Sequence, residues 1–304
     1  MKLSIIIVSW NTRDLLADCL DSVYENPPNG RFEIIIVDNA SSDGSADMVR
    51  QRFPQARLIA KEENVGFAKG NNEAIPFCSG EYVLMLNPDT VVKLGALAAL
   101  THFMDTHPEA GAAGSRLLNP DGSLQTSCYP APKLTRELWR LFHLDAVRPY
   151  GEYRMHKWST DAAREVDVIK GASLIFRREV LEKVGFLDGA YFMYSEEVDL
   201  CLRVQRADWR LYWVPQSQVV HYEGQSTKQI ATDMFLQLYL GKLMYFRKHY
   251  GRFSGILYKF ILAAASLMRL LLTPLALLMR PAARQKNKSL ARRYGRLLTA
   301  LPTM

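Results

Sequence analysis

No CxxC pair occurs among the four cysteines, Cys19, Cys78, Cys128 and Cys201. A zinc ribbon and a thioredoxin-type motif are therefore excluded, a disulfide framework is disfavoured, and a reducing compartment suits the chain best. Neither GxGxxG nor GxxxxGK[ST] is found, which speaks against a dinucleotide fold of the usual kind and against a Walker-type phosphate loop. Internal repeats and low-complexity tracts are absent. The N-terminal apolar run stops at Asn11, short of the apolar core and small-residue cleavage site of a secretory signal, and has the length of a buried strand instead. Acidic residues are missing altogether from 241–304, where there are thirteen Lys and Arg. The first 240 residues hold 25 basic against 31 acidic residues, so the net charge of +7 is made by the tail. Such a tail seeks an anionic partner, nucleic acid or a phospholipid surface. With an apolar half to the tail and no RNP, KH or helix-turn-helix pattern, specific nucleic-acid binding is set aside.

What is present is a globular composition, 48% hydrophobic and 23% charged over 304 residues, with strands and helices in alternation. Residues 3–8, 32–37, 57–60 and 82–86 are short apolar runs of the kind buried on both faces of a parallel sheet. Residues 14–24, 46–53, 66–77 and 94–104 carry apolar residues at helical spacing between them. The alternation predicts an α/β fold built on a doubly wound, mostly parallel sheet. Beyond residue 110 the pattern is mixed. A turn is expected at Asn119-Pro-Asp-Gly122, a loop over 130–163, a strand over 166–176 interrupted at Lys170-Gly171, helices over 178–184 and 196–207, and closing strands over 210–214 and 218–221.

Ligands of such sheets gather at the carboxyl ends of the strands, and polar clusters fall there in turn. Ser9-Trp10-Asn11 follows the first strand, Asp38-Asn39 the second, Asn64-Val-Gly66 the third and Asn87-Pro-Asp89 the fourth. Asp38 can accept a hydrogen bond from the imide N–H of uracil or thymine, although Asp is also a common helix cap. Asn64 to Asn72 sets side-chain amides and two glycines at a helix start, where phosphate is favoured. Asp89 can hold a divalent cation that still carries substrate phosphate oxygens, although an isolated Asn-Pro-Asp is more often a turn. Glu196, Glu197 and Asp199 crowd three carboxylates at a helix start, more than capping requires. Mutual repulsion raises a carboxyl pKa and suits a general base, while Asp199 and Arg203 at i, i+4 can simply pair. His221 gains weight as a second ligand for a metal at Asp89.

In chain order these pieces, SIIIVSWNTRDLLADCLDSV, EIIIVDNASSDGS, NVGFAKGNNEAI, YVLMLNPDTVV, VIKGASLIFRREVLEKVGFLD, YFMYSEEVDLCLR and VVHYEGQST, resemble family 2 glycosyltransferases of GT-A fold. The likeness is to bacterial rhamnosyltransferase-like and galactofuranosyltransferase-like members. The resemblance implies inverting transfer of a sugar from a nucleotide-diphosphate donor, with dTDP-rhamnose ranked first and UDP-sugars next. By position, Ser9, Asn11 and Asp38 would hold the pyrimidine nucleoside, and Asn64, Gly66 and Asn71 would line the nucleotide and diphosphate site. Asn87-Pro88-Asp89 stands where the family has its DxD-type motif, which leaves Asp89 as the main carboxylate on Mg²⁺ or Mn²⁺ and His221 to complete the site. Glu197 matches the second acid of the family's Glu-Asp pair, the general base. The substitution of Glu for Asp moves that carboxylate by about one C–C bond, ~1.5 Å, so Glu196 ranks second and Asp199 third. Lys170-Gly171-Ala172 and Trp158 are assigned to the acceptor side.

On this reading residues 1–240 form the transferase domain, with a nucleotide-sugar half to about residue 115 and an acceptor and catalytic half over 116–240. Residues 241–304 form a membrane-associating tail. Its apolar stretch over 253–279 is interrupted by Lys259, Arg269 and Pro274. A central Arg disfavours spanning by about 2.5 kcal/mol or more, so interfacial helices or a re-entrant hairpin bent at Pro274 are expected. Arg280, Arg284, Lys286, Lys288, Arg292, Arg293 and Arg296 then meet anionic headgroups. The acceptor would be a polyprenyl-diphosphate-linked saccharide at the cytoplasmic face of the cell membrane, in cell-wall or surface-polysaccharide assembly. A non-catalytic, membrane-associated nucleotide-sugar-binding scaffold on the same fold is the competing class.

Overall fold

A computed structural model describes residues 1–225, 231–279, 282 and 284–304. Ser226, Thr227 and Arg280, which the sequence reading singled out, lie outside the described residues. Two compact units are formed: Met1–Ala131 with the chain from Tyr153 to residue 225, and Pro132–Glu152 with the chain from residue 231 on.

The first unit opens with β1 (Leu3–Ser9), α1 (Arg13–Glu25), β2 (Phe32–Asp38), α2 (Ser45–Arg52), β3 (Arg57–Ala60), α3 (Gly66–Ala74) and β4 (Tyr82–Leu86). Every residue of β1 and β4 is buried, as continuous apolar runs require when both faces of a sheet are covered. Leu3, Ile5 and Ile7 pack with Leu16, Leu20 and Val23 of α1. The strands of this half pair in parallel, β3-β2-β1-β4. The chain thus moves outward from β1 to β3 and returns to place β4 on the other side of β1. The gap between the carboxyl ends of β1 and β4 is therefore the switch point where α/β sheets bind ligands.

The second half of the sheet mixes directions. After β5 (Thr90–Val92), α4 (Ala96–Thr106), β6 (Ala110–Leu118) and β7 (Cys128–Tyr129), the chain returns through β8 (Arg164–Glu165), β9 (Val168–Ile169) and β10 (Ser173–Arg177). Next, β10 enters antiparallel between β4 and β6, so the sheet is mixed, with parallel pairing in β3-β2-β1-β4 and between β6 and the last strand. Two helices follow, here α6 (Arg178–Val184) and α7 (Glu196–Arg206), and one long strand, β11 (Arg210–His221), closes the sheet. The two closing strands anticipated from sequence are this single strand. Its pairing with β6 is parallel and shifts register between Val214 and Gln218, around Pro215, which has no N–H to give a ladder. All four cysteines are free.

The second unit holds α5 (Leu134–Leu141), α8 (Ala231–Met279) and α9 (Arg284–Ala300). The expected loop over 130–163 thus contributes a helix here. α8 is two helices joined at Gly251, whose φ of 86° and ψ of 170° are non-helical. Tyr239 and Arg269 both touch Tyr294 of α9, although on a straight helix they would be about 45 Å apart. The chain therefore doubles back at Gly251, where left-handed φ suits glycine. Pro274, the expected bend, sits inside the second arm without ending it. Arg269 finds partners within the unit through one nitrogen: its Nη2 donates to the Leu141 carbonyl at 3.3 Å and lies 2.6 Å from His143 Nε2, while its buried Nε has none.

Candidate active site

A cavity of about 660 Å³ opens at the carboxyl ends of β1 and β4. Val8, Asn87, Pro88 and Asp89 form its floor at the strand ends, with Phe67 from α3, Glu196 and Glu197 from α7, Lys170 to Ala172 from the turn before β10, and His221 to Gln225 from the end of β11. Among the described residues, non-glycine positive φ occurs at Tyr194 and Glu223 in the cavity lining, at Ser195 next to them, and at Asn11 and Ala40 just past the ends of β1 and β2. Strain of about 1–3 kcal/mol at each such position gathers where side chains must be aimed.

Asp89 and His221 meet although 132 positions apart, because β11 pairs with β5 and sets His221 opposite Thr90. His221 Nε2 lies 3.3 Å from Asp89 Oδ1 and 3.4 Å from Asn87 Nδ2, and both Asp89 and His221 are buried. Burial pushes the Asp89 carboxyl up, but the hydrogen bond and charge of His221 outweigh it and leave it below the ordinary value. Asn87 Oδ1 is buried with no hydrogen-bond partner. Among the described residues no three His, Cys, Asp or Glu side chains gather as a metal cage. What the chain offers is half a shell: one carboxylate, one imidazole and the orphaned amide oxygen of Asn87. That donor set fits Mg²⁺ or Mn²⁺ if phosphate oxygens and water fill the rest. Behind the ring, His221 Nδ1 lies 2.7 Å from Gln125 Oε1, and Gln125 Nε2 donates to the His221 carbonyl at 3.1 Å and to Asn119 Oδ1 at 3.0 Å.

Glu196 and Glu197 begin α7 directly after Tyr194 and Ser195, whose φ values are 70° and 74°. The left-handed pair turns the chain so that both acids line the cavity, each with an Oε2 that is buried and unpartnered. Burial and then the charge of Glu197 push the Glu196 carboxyl well up. Burial raises Glu197 as well, against the pull of backbone N–H groups and of Lys170. Lys170 itself is paired with Glu223 at 2.5 Å. Asp199 does not reach this cavity. Its fully buried Oδ2 accepts from Arg203 Nε at 2.8 Å, and Arg203 also donates to the carbonyls of Val184, Gly185 and Phe186. The i, i+4 pair ties α7 to the end of α6.

The remaining sequence candidates lie beside the cavity. Ser9 and Asp38 are register partners at the ends of β1 and β2. Ser9 Oγ is 2.9 Å from Thr12 Oγ1. Asn11 Oδ1 accepts from the Ser42 N–H at 2.8 Å. Asp38 Oδ2 accepts from the Ser41 N–H at 3.0 Å, while its buried Oδ1 has no partner. Asn64 Oδ1 accepts from the Gly66 N–H at 3.0 Å. Gly66 has a φ of 84°, and any Cβ on it would strike the Phe192 carbonyl, so glycine lets α3 approach the segment that carries the acids. Asn71 faces the other way, into a small void among Ile6, Met85 and Phe176. Trp158 packs on Trp213 with ring centroids 5.3 Å apart and is not among the cavity-lining residues. Gln125 is a contribution that no motif announced; Phe67 and Glu223 lie inside quoted motifs without having been singled out, and the turn at Asn119 was legible while its reach to His221 through Gln125 was not.

The sequence profile of Glycosyl transferase family 2 matches residues 4–199, from β1 to the acids of α7. An N-acetylglucosaminyl-diphospho-decaprenol L-rhamnosyltransferase of Mycobacterium tuberculosis is 30% identical over 213 residues, 64% of this chain and 67% of that protein. Rhamnosyltransferase WbbL of Escherichia coli is 26% identical over 238 residues, 76% of this chain and 87% of that protein. In fold, the chain is similar to the mannosyltransferase PcManGT of Pyrobaculum calidifontis, solved with GDP-Man and Mn²⁺, at a TM-score of 0.59 and 19% identity over 99% of this chain and 86% of that one. The fold is thus of GT-A type, and the chain belongs to glycosyl transferase family 2.

Proposed function

We propose that the chain transfers a sugar, with inversion, from a nucleotide-diphosphate donor to a hydroxyl of a lipid-diphosphate-linked saccharide. dTDP-rhamnose is the donor we favour over UDP-sugars, given the two rhamnosyltransferase relatives. The observation that carries this reading is the opening of two opposed chemistries into one cavity at the switch point of the sheet. The first is that of Asp89, His221 and Asn87; the second is that of the Glu196–Glu197 pair, and both line the same cavity.

Glu197 is the base in this proposal, and Glu196, whose carboxyl burial and the charge of Glu197 push up, keeps its proton beside it. Two adjacent carboxylates share the burden of ionising, so one is ionised near neutrality while the other stays neutral. The ionised Glu197 takes the proton of the acceptor hydroxyl. That oxygen attacks the anomeric carbon from the face opposite the leaving group, and the bond to the nucleoside diphosphate breaks with its electron pair. Asp89 and His221 would hold a divalent cation with Asn87, and its charge, when bound, stabilises the departing diphosphate. In this proposal Asp38, whose buried Oδ1 has no partner, accepts the imide N–H of thymine or uracil, with Ser9 and Asn11 beside it. Lys170, Gly171 and Ala172 line the acceptor side.

The second unit supports an acceptor held at a membrane. Phe253, Phe260, Leu271 and Leu278 are 77%, 68%, 78% and 73% exposed, with Ile256, Leu257, Leu267 and Leu275 exposed between them, mostly three, four or seven residues from the next. This is one face of a helix about 40 Å long, enough to lie in, or enter, a bilayer with a core of roughly 30 Å. α9 adds Arg284, Lys286, Lys288, Arg292, Arg293 and Arg296. We place the enzyme at the cytoplasmic face, where anionic lipids attract such a helix.

The test is turnover of dTDP-rhamnose, and of UDP-sugars in parallel, with a synthetic polyprenyl-diphosphate-N-acetylglucosamine acceptor and Mn²⁺. Release of nucleoside diphosphate matched by a lengthened, inverted glycolipid supports the proposal. Donor binding without transfer to any lipid-linked acceptor overturns it in favour of a scaffold.

A further inference from the structure

We infer that Gln125 is a positioning residue: it fixes His221 in the tautomer that carries its proton on Nδ1, so that the Nε2 lone pair faces Asp89. The inference deepens, and rests on, the reading of Asp89 and His221 as a metal-holding pair. The argument starts from a group with no choice. The backbone carbonyl of His221 can only accept a hydrogen bond, and Gln125 places a side-chain atom 3.1 Å from it; that atom must therefore be the amide nitrogen. The same nitrogen lies 3.0 Å from Asn119 Oδ1. Asn119 is oriented in turn by the other end of its amide, where Nδ2 donates to Ser123 Oγ at 2.9 Å and Ser123 donates to Asp121 Oδ1 at 2.6 Å. A flipped Gln125 would point its oxygen at two acceptors.

With the nitrogen assigned, the Gln125 oxygen is the atom 2.7 Å from His221 Nδ1. An amide oxygen only accepts, so Nδ1 carries a hydrogen. Nε2 is then the nitrogen that faces Asp89, 3.3 Å from its carboxylate: in the charged ring it donates the hydrogen bond to Asp89, and in the neutral ring it is the lone-pair nitrogen, free to meet a cation, with Asn87 Nδ2 3.4 Å away. Gln125 is 6% exposed and His221 2% exposed, so water has little access to exchange these partners. The arrangement is that of a metal-ligating His whose second nitrogen is held from behind, where such support is worth about 10–100-fold in metal affinity. An Asp or Glu at 125 would also accept from Nδ1, but it would bring a second buried negative charge and face the His221 carbonyl without a donor. Gln supplies both polarities at once.

The experiment uses the full-length chain and two readouts other than turnover. Long-range ¹⁵N–¹H correlation of labelled histidine, on metal-free wild type at alkaline pH, reports the His221 tautomer, assigned by loss of its signals in His221→Ala. We expect the Nδ1-protonated pattern; an Nε2-protonated ring overturns the inference without any Gln125 variant having to fold. Mn²⁺ affinity is then followed by electron paramagnetic resonance of the free ion. Gln125→Leu is expected to lower affinity about 10–100-fold, Gln125→Glu to keep most of it, and Gln125→Leu in a His221→Ala background to cost nothing further. Wild-type affinity in Gln125→Leu, or a loss that adds to that of His221→Ala, overturns the inference while leaving the metal pair standing. Unchanged Mn²⁺ binding in both Asp89→Ala and His221→Ala removes the metal pair itself, and the inference with it.

Discussion

At the scale of single residues the site turns on where carboxylates are left without partners. Asp199, the most buried of the three acids, is neutralised by Arg203, whereas Glu196 and Glu197 keep unpartnered oxygens at the cavity wall. Glu197→Gln should lower kcat by about 10²–10⁴-fold and leave nucleotide affinity unchanged, as steady-state kinetics with parallel calorimetry would show. The pH profile has a definite sign. A base whose pKa is raised by burial loses its charge already above the ordinary carboxylate range, so kcat/KM should fall on the acid side with an inflection above about 4.5. An acid limb with its inflection below that value would remove the buried glutamates from the role. Asp89 and His221 were legible in the sequence because each ends an apolar strand, where a sheet of this type presents its ligands. Gln125 was not, because nothing local marks it; its meaning comes from a β11 carbonyl 96 positions away.

Elements were legible to the extent that their reasons are local. The strands 57–60 and 82–86 and the helix 178–184 fall where apolar runs and helical spacing put them. The departures have non-local causes. β10 runs antiparallel because it is inserted between β4 and β6, a choice made by the whole sheet. β11 bridges Pro215 as a register shift, since β6 pairs with it on both sides of the interruption, with β8 alongside before it and β5 after it. The tail reverses at Gly251 and not at Pro274 because a proline costs a helix one hydrogen bond, while a residue at φ 86° takes the chain out of it. Gly66 is the most exacting position of this kind. Gly66→Ala combines a left-handed φ with a collision at the Phe192 carbonyl, and should destabilise the fold by about 2 kcal/mol or more in urea denaturation. Because Phe192 leads into Tyr194 and the acids, the same change should lower kcat; an unaltered midpoint and unaltered kcat would contradict this account of Gly66.

On the scale of the whole molecule, two units answer two needs. The second is tied together by Glu137, which accepts from Lys242 at 2.7 and 2.9 Å and from Arg140 at 2.8 Å. Burial raises the Glu137 carboxyl, but Lys242 and Arg140 outweigh it and hold it at about 2 against an ordinary 4.5. A depressed folded pKa means the stabilisation is complete above the unfolded value and is lost as pH falls from about 4.5 toward 2. Glu137→Gln should therefore cost about 3 kcal/mol near neutrality, and the gap to wild type should narrow across that window in pH-dependent denaturation; a constant gap would exclude the ion pairs as its source. For the exposed helix face, Phe260→Gln with Leu271→Gln in the full chain should cut sedimentation with phosphatidylserine vesicles at all salt concentrations. Arg292→Gln with Arg293→Gln should weaken it at low salt only, when surface charges are poorly screened. Vesicle binding indifferent to both pairs would separate the tail from the membrane.

The central claim is that Asp89 and its neighbours hold a nucleoside diphosphate through a divalent cation. Isothermal calorimetry of dTDP, with UDP alongside, with and without Mn²⁺, on wild type and Asp89→Ala tests it most directly. The account predicts Mn²⁺-dependent dTDP binding by wild type that is lost in Asp89→Ala. Nucleotide binding of equal strength in both proteins and indifferent to Mn²⁺, or no binding by folded wild type, would contradict it.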